Sequence, residues 1–326
     1  MTALEVSVAL CTYNGARYLE EQLQSIVSQS QAVREIVVAD DGSTDETLAI
    51  VRRVAAASGA TSQGIEFRIL EGGGHGVTKN FERAIAACRF DLIALCDQDD
   101  IWTAGRLERQ CAEFDSRPGL SLLFGDARLV NEHGSPVGAT LFDTLEVDAA
   151  TRARLHAGAA FEIFLRRNIV TGATVMFRRS LTDIALPIPR EWVHDEWLAI
   201  MAAAVGEVDL MEFVVTDYRQ HGNNQIGVRI PTVRNKVQRV LQPRGSRNRD
   251  LAVRSNLLAD RLESIVGGSK GAAARRKSGF ERQRADLPAN RILRLAKVLR
   301  LAQTGGYRAF ASQGRVDIVR DLLQPT

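Results

Sequence analysis

At 326 residues, 45% hydrophobic and 25% charged, the chain has room for one large globular domain with an appendage, or for two domains. No apolar run approaches the roughly 20 residues that cross a bilayer, and no basic stretch followed by an apolar one opens the chain, so a cytoplasmic protein without a signal peptide is expected. The net charge of +3 conceals an asymmetry: residues 1–228 carry 20 Lys and Arg against 32 Asp and Glu, whereas residues 229–326 carry 22 against 7. An acidic body argues against nucleic acid as the main ligand, and a basic tail calls for an anionic partner. The four cysteines, Cys11, Cys88, Cys96 and Cys111, lack metal-type spacing, and Cys11 and Cys96 end apolar runs as small hydrophobes do, which fits a reducing compartment.

In chain order, residues 5–11 read as a first strand, followed by the turn Thr12-Tyr13-Asn14-Gly15. A helix is expected over 17–30, with Leu19, Leu23, Ile26 and Val27 on one face. A second strand over 35–39 runs into Asp40-Asp41-Gly42-Ser43-Thr44-Asp45, where Ser43 or Thr44 can cap the next helix. A third strand over 65–70 ends in Glu71-Gly72-Gly73-Gly74-His75-Gly76, which matches no phosphate-loop pattern and reads as a flexible turn. A helix over 79–88 and a fourth strand over 92–96 follow. Such alternation predicts a mostly parallel sheet with helices on both faces. Further on, a helix over 106–114, strands over 121–124, 173–178 and 208–215, a helix over 198–205 and a looser stretch over 131–165 are expected.

The fourth strand carries the strongest signal. Five apolar residues, Leu92 to Cys96, run directly into Asp97, Asp99 and Asp100. A strand buried on both faces ends there, and strand carboxyl ends are where open α/β sheets bind ligands. Carboxylates so close repel one another, and a hard cation, Mg²⁺ or Mn²⁺, relieves that repulsion while holding substrate phosphates. The bland alternative is a solvated acidic turn. The convergence of four polar strand ends on one crevice favours a metal–diphosphate site.

Several ordered segments together carry a resemblance. These are Val8-Ala-Leu-Cys-Thr-Tyr-Asn14, Val38-Ala-Asp-Asp-Gly-Ser-Thr-Asp45, Gly76-Val-Thr-Lys-Asn-Phe81, Cys96-Asp-Gln-Asp-Asp-Ile-Trp102, His194-Asp-Glu-Trp-Leu198 and Tyr218-Arg-Gln-His221. Over residues 1–227 the chain resembles the family 2 glycosyltransferases, inverting enzymes of GT-A fold, and within them the bacterial rhamnosyltransferases of surface polysaccharides. The resemblance implies a nucleoside-diphosphate sugar donor and a glycan or lipid-linked acceptor. It places Asp97 and Asp99 at the metal, with Asp97 also at the donor, and His221 either as a further ligand or as a solvated turn residue. Asp40 or Asp41 would bond the nucleobase while the other holds the turn. Thr12, Tyr13 and Asn14 would line the base, with Lys79 and Asn80 opening a helix near the nucleotide unless Lys79 is a surface charge. Asp195 corresponds to the catalytic base, although the family usually shows Glu-Asp where this chain has His194-Asp195. Trp197 reads as a core anchor, Trp192 as core or as a wall against the sugar.

Residues 228–326 lie outside the resemblance and read as a separate basic, helical region. In 290–303, Ile292, Leu295, Ala296, Leu299 and Ala302 form one helical stripe among Arg291, Arg294, Lys297 and Arg300. Such a helix either lies on an anionic membrane, at the inner face of the plasma membrane, or packs on the acidic body. Two other functions compete with glycosyl transfer. A nucleotidyltransferase making sugar nucleotides would need a Gly-rich, Arg/Lys-bearing loop directly after the first strand, where Thr12-Tyr13-Asn14-Gly15 stands. A non-enzymatic nucleotide-binding module would bind the donor without releasing diphosphate.

Overall fold

β1 (Val6–Thr12) is buried along all seven residues because it has neighbours on both sides and helices on both faces. The computed structural model describes residues 4–31, 33–59, 64–222 and 245–324. They divide into two compact units, residues 1–160 with 169–228, and residues 161–168 with 229–326. The short segment 161–168 therefore belongs with the basic tail, which the sequence alone did not indicate. The expected boundary at 227/228 lies outside the described residues.

In the first unit the order is β1, α1 (Leu19–Val27), β2 (Val33–Asp40), α2 (Thr47–Gly59), β3 (Glu66–Leu70), α3 (Val77–Ala87), β4 (Leu92–Cys96), β5 (Ile101–Trp102), α4 (Arg106–Ser116), β6 (Leu120–Val130) and β7 (Pro136–Thr140). Short helices α5 (Leu141–Thr144), α6 (Ala149–His156) and α7 (Ala160–Arg166) occupy the stretch expected to be loose; all of α7 but Ala160 belongs to the second unit. β8 (Val175–Arg178), α8 (Thr182–Ala185), α9 (His194–Val205) and β9 (Glu207–Arg219) complete the unit.

One nine-stranded sheet runs β3-β2-β1-β4-β8-β6-β9-β5, with β7 beside β6. The β1, β2, β3 and β4 pairings are parallel, as is β6 with β9. β5, β7 and β8 run against the other six strands. Alternate side chains of β1, β2 and β4 (Val8, Leu10, Val38 and Ala94 among them) pack with Leu23 and Ile26 of α1, Val51 of α2 and Phe114 of α4. The opposite face meets α3, whose Phe81 and Ile85 are fully buried. Near the amino ends of the strands, the buried Glu35 accepts from Ser7 Oγ at 2.6 Å and from the Arg89 backbone N–H and Nε at 2.6 and 3.0 Å.

The bounds of α1, α9, β6 and β9 differ from the sequence expectation for local reasons. α1 starts at Leu19 because Tyr18 and Leu19 bond back to the Gly15 carbonyl in a turn. α9 starts at His194, not Leu198: Val193 is extended, and Asp195 and Glu196 fill the first turn, where the helix dipole favours carboxylates. β9 continues to Arg219, and β6 to Val130, because the pair shifts register between Leu120 and Leu122 and around Asp126, which breaks the simple alternation.

The second unit holds α10 (Arg247–Ile265), α11 (Gly268–Ala285), α12 (Arg291–Gln303), α13 (Gly306–Phe310) and α14 (Arg315–Leu323) around a small core of Phe280, Leu287, Val298, Leu301, Tyr307 and Ala311. Beside it lies a buried ionic network. Arg284 donates to Asp321 at 2.6 and 3.1 Å and to Glu281 at 3.0 Å, Tyr307 donates to Asp321 at 2.7 Å, and Lys277 reaches Glu281 at 2.6 Å.

Candidate active site

β1 lies between β2 and β4, so chain order reverses between β1 and β4, the place where open α/β sheets form a ligand crevice at their carboxyl ends. The turn after β1 forms one wall. Asn14 adopts φ 46°, a left-handed conformation that Asn tolerates well. Its N–H donates to Ser43 Oγ at 2.9 Å, and its Oδ1 accepts from the Thr44 N–H at 2.8 Å, which fastens the turn after β1 to the turn after β2. Gln98, between the two central acids, brackets the Tyr13 backbone: its Oε1 accepts from the Tyr13 N–H at 2.8 Å and its Nε2 donates to the Tyr13 carbonyl at 3.1 Å. A Cβ at residue 15 would lie 2.2 Å from Gln98 Oε1, so Gly15 is required for that bracket. The Tyr13 ring is left 54% exposed at the crevice edge.

Asp40 and Asp41 hold backbone in this structure. Asp40 is buried and saturated, accepting from the hydroxyls of Thr12 (2.7 Å) and Ser43 (2.6 Å) and from the N–H groups of Gly42 (3.1 Å) and Ser43 (2.8 Å). Asp41, only half-buried, accepts from the N–H groups of His75 and Gly76, both at 3.0 Å. The glycine stretch is thus pinned rather than loose. A Cβ at Gly73 would come within 2.0 Å of the Asp41 carbonyl, so only glycine permits this approach. Asn80 is buried and donates to the Ala39 carbonyl at 2.6 Å, docking α3 on the end of β2. Lys79 donates to both Glu82 carboxylate oxygens at 2.9 Å and to the Ile188 carbonyl at 3.2 Å, so its charge serves an intramolecular tie.

The central acids lie at the floor. Asp97 is pushed up to about 7 by burial first, then by the neighbouring charges of Asp99 and Asp195, with Arg106 opposing. Asp195, in the first turn of α9, is the source of one of those charges. Its Oδ2 accepts from the Gly172 N–H at 2.9 Å and its Oδ1 from the Glu196 N–H at 2.7 Å, which fixes the carboxylate. Asp99 Oδ2 meets His221 Nε2 at 2.9 Å, and the His221 ring stacks on Tyr18. Asp100 points inward and accepts from the Arg219 N–H at 2.9 Å.

Three residues matter here that the sequence reading did not assign. Arg219 ties the acidic turn together, donating to the Asp99 carbonyl (2.9 Å), the Glu132 carbonyl (3.1 Å) and Glu21 (2.6 Å). Arg106 is fully buried beneath the acids, its guanidinium 3.9 Å from the Trp102 ring centre and its Nη1 on the Ala173 carbonyl at 2.8 Å. His194 is buried face to face on Phe81, ring centres 3.9 Å apart, and burial lowers its pKa to about 3, so it is neutral. Arg219 lies within a quoted motif and was findable. His194 also lies within a quoted motif, whereas Arg106 gave no signal, because a charge on a helix usually faces solvent. Trp197 is fully buried, its Nε1 donating to the Ala185 carbonyl at 2.7 Å, and Trp192 packs against it with 7% exposure.

Two carboxylates and an imidazole are donors that suit Mn²⁺ or Mg²⁺, and the mutual repulsion at Asp97 is of the kind a cation relieves. The structure joins His221 to Asp99. Among the described residues, though, no three His, Cys, Asp or Glu side chains are gathered into a complete metal cluster. A cation bound here would draw its remaining ligands from diphosphate and water, which is the habit of Mg²⁺.

A strand-end crevice lined with carboxylates on this mixed sheet defines the chain as a protein of GT-A fold. The model of glycosyl transferase family 2 matches residues 7–183, more than half of the chain, and the chain belongs to that family. It is 30% identical over 224 residues to the uncharacterized protein Rv1520 of Mycobacterium tuberculosis; the match covers 67% of this chain and 59% of that protein's length. A dTDP-rhamnosyl transferase of Shigella flexneri, RfbG, is 36% identical over 112 residues, covering 33% of this chain and 38% of its own. Two solved structures share the fold. One is S. aureus TarS in complex with UDP-GlcNAc (TM-score 0.53, 18% identity, 98% of this chain and 90% of that one). The other is a mannosyltransferase of Pyrobaculum calidifontis with GDP-Man and Mn²⁺ (TM-score 0.54, 17% identity, 99% and 86%).

Proposed function

We propose that the chain is an inverting, metal-dependent glycosyltransferase that moves rhamnose from a dTDP carrier to a hydroxyl of a glycan or lipid-linked acceptor in surface polysaccharide synthesis. The observation that carries this reading is the gathering of Asp97 and Asp99 just past the end of β4, with the charge of Asp195, at the start of α9, bearing on Asp97. The sugar rests on the Shigella relative, the nucleotide donor on the complexes of the two structural neighbours, and the metal on that of the mannosyltransferase.

In the proposed reaction the acceptor oxygen forms a bond to the anomeric carbon as the bond from that carbon to the diphosphate oxygen breaks. Asp195 takes the acceptor's hydroxyl proton, and the diphosphate leaves with the bonding pair. The N–H groups of Gly172 and Glu196 hold the Asp195 carboxylate in place for this transfer. A cation bound at Asp97 and Asp99 would neutralise charge on the departing diphosphate. The Asn14–Ser43–Thr44 bonds and the Gln98 bracket keep the base-binding wall rigid. Attack opposite the leaving group inverts the anomeric centre. The test is incubation with dTDP-rhamnose, other nucleotide sugars and glycan acceptors, with product configuration read by NMR. Transfer with inversion is expected; retention would overturn the assignment of Asp195, and absence of transfer from every donor would overturn the reading. We further propose that the enzyme works in the cytoplasm beside the membrane that holds its acceptor.

A further inference from the structure

The charges of α12 and α14 are distributed the reverse of what a surface helix normally shows. On α12 the inward residues are Arg294, Val298 and Leu301. Arg294 is buried and donates to the carbonyls of Pro288 (2.9 Å), Ala289 (3.1 Å) and Gln324 (2.7 Å). At about 100° per residue, the opposite side carries Ile292, Leu295, Ala296 and Leu299, with Ile292 79% exposed. Arg291 flanks this face on one side, Lys297 and Arg300 on the other. On α14 the same inversion recurs. Asp317 and Asp321 are turned inward, while Val316, Val319 and Leu323 are exposed between Arg315 and Arg320. The two helices pack together, joined through Arg294 and the Gln324 carbonyl.

We infer that the outward faces of α12 and α14 form one docking surface for an anionic lipid bilayer. Aliphatic side chains exposed at this density on neighbouring helices mark an interaction site. The charge pattern selects the partner. Among the described residues, Arg291, Lys297, Arg300 and Arg315 pair with no carboxylate, so cations ring the aliphatic face. The whole segment 229–326 carries 22 Lys and Arg against 7 Asp and Glu. Apolar side chains entering the lipid boundary, with basic ones at the headgroups, are how interfacial helices bind. No helix among the described residues is long and apolar enough to span a membrane, so the contact is with the surface. The inference rests on the membrane-side part of the proposed function. It is measured without donor or acceptor, so its failure leaves the transfer assay standing.

The experiment is co-sedimentation of the full chain with vesicles of phosphatidylcholine alone or mixed with phosphatidylglycerol, across salt. Binding is expected only with phosphatidylglycerol and weakens as salt rises. Ile292→Ser with Leu299→Ser should reduce partitioning at least about tenfold, since each buried aliphatic contributes several methylene groups. Lys297→Gln with Arg300→Gln should reduce it about 25-fold, at roughly fivefold per charge. Circular dichroism melts of both variants should match the parent, because the altered side chains face outward. Should the aliphatic variant fail to fold, the charge variant decides alone. Equal recovery of parent and charge variant with the vesicles would overturn the inference. So would absence of lipid binding together with a concentration-dependent dimer that Leu299→Ser disperses, which would assign the face to a second copy.

Discussion

The two units use charge in opposite ways. In the first, aliphatic side chains fill the sheet and its covering helices, and the carboxylates of Asp97, Asp99 and Asp195 collect at one crevice where they repel each other. In the second, Arg284, Glu281, Asp317 and Asp321 lie buried and satisfied beside a core of six residues, while Ile292, Leu299 and Val319 face outward. Repelling charges gathered at one strand end mark where a ligand is needed. Buried charges that pair completely mark where the fold itself depends on them.

That contrast predicts which substitutions remove activity and which remove the fold. The largest effect belongs to Asp195→Asn. It should lower kcat by about 10²–10⁴-fold, the range for losing a general base, with donor affinity and melting temperature nearly unchanged. If donor affinity collapses instead, Asp195 is a donor-site residue. Asp321→Ala comes next. It leaves Arg284 buried with its main partner gone and should cost about 3–5 kcal/mol in the unfolding of the second unit, read by urea denaturation. A cost below about 1 kcal/mol would show that the network is ornamental to stability.

A smaller, pH-dependent effect is expected at Glu35. Burial opposes its charge, but bonds from Ser7 and from the backbone and guanidinium of Arg89 outweigh burial and hold its pKa below the usual value. Its stabilisation is complete above the unfolded carboxylate pKa, about 4.3. It is lost as pH falls through the lower folded value. Melts of Glu35→Gln should therefore run below the parent at neutral pH and converge with it in acid; a constant gap would exclude the linkage. The smallest effect should come from Leu299→Ser, within about 0.5 kcal/mol of the parent, since an outward side chain carries little of the fold.

The legible parts of the molecule are those where one rule decides. Leu92 to Cys96, apolar and followed by acids, fixed both a buried strand and the crevice floor, and the strand ends at Thr12 and Asp40 followed from the same pattern. The roles of single side chains were less legible. Asp40 and Asp41 sit at the expected strand end, and Lys79 and Asn80 in the expected helix, yet in the structure their polar atoms hold backbone or a neighbouring charge, which depends on distances that a sequence does not contain. The helix over 291–303 was legible as amphipathic, but the identity of its buried side was not. Arg294 turns inward because the carbonyls of Pro288, Ala289 and Gln324 await it, and those belong to other segments. Likewise 161–168 reads as continuous with its flanks and joins the tail only through tertiary contacts such as that of Arg166 Nε with the Ala311 carbonyl, at 2.9 Å.

The central claim is that the acids at the end of β4 hold a cation together with the donor diphosphate. Calorimetric titration of dTDP-rhamnose into the intact protein, with Mn²⁺ and with excess chelator, addresses it directly. The account predicts binding at least about tenfold tighter with Mn²⁺, about 1.4 kcal/mol, and loss of that difference in Asp99→Asn. Donor binding of equal strength with and without Mn²⁺, unchanged by Asp99→Asn, would contradict it.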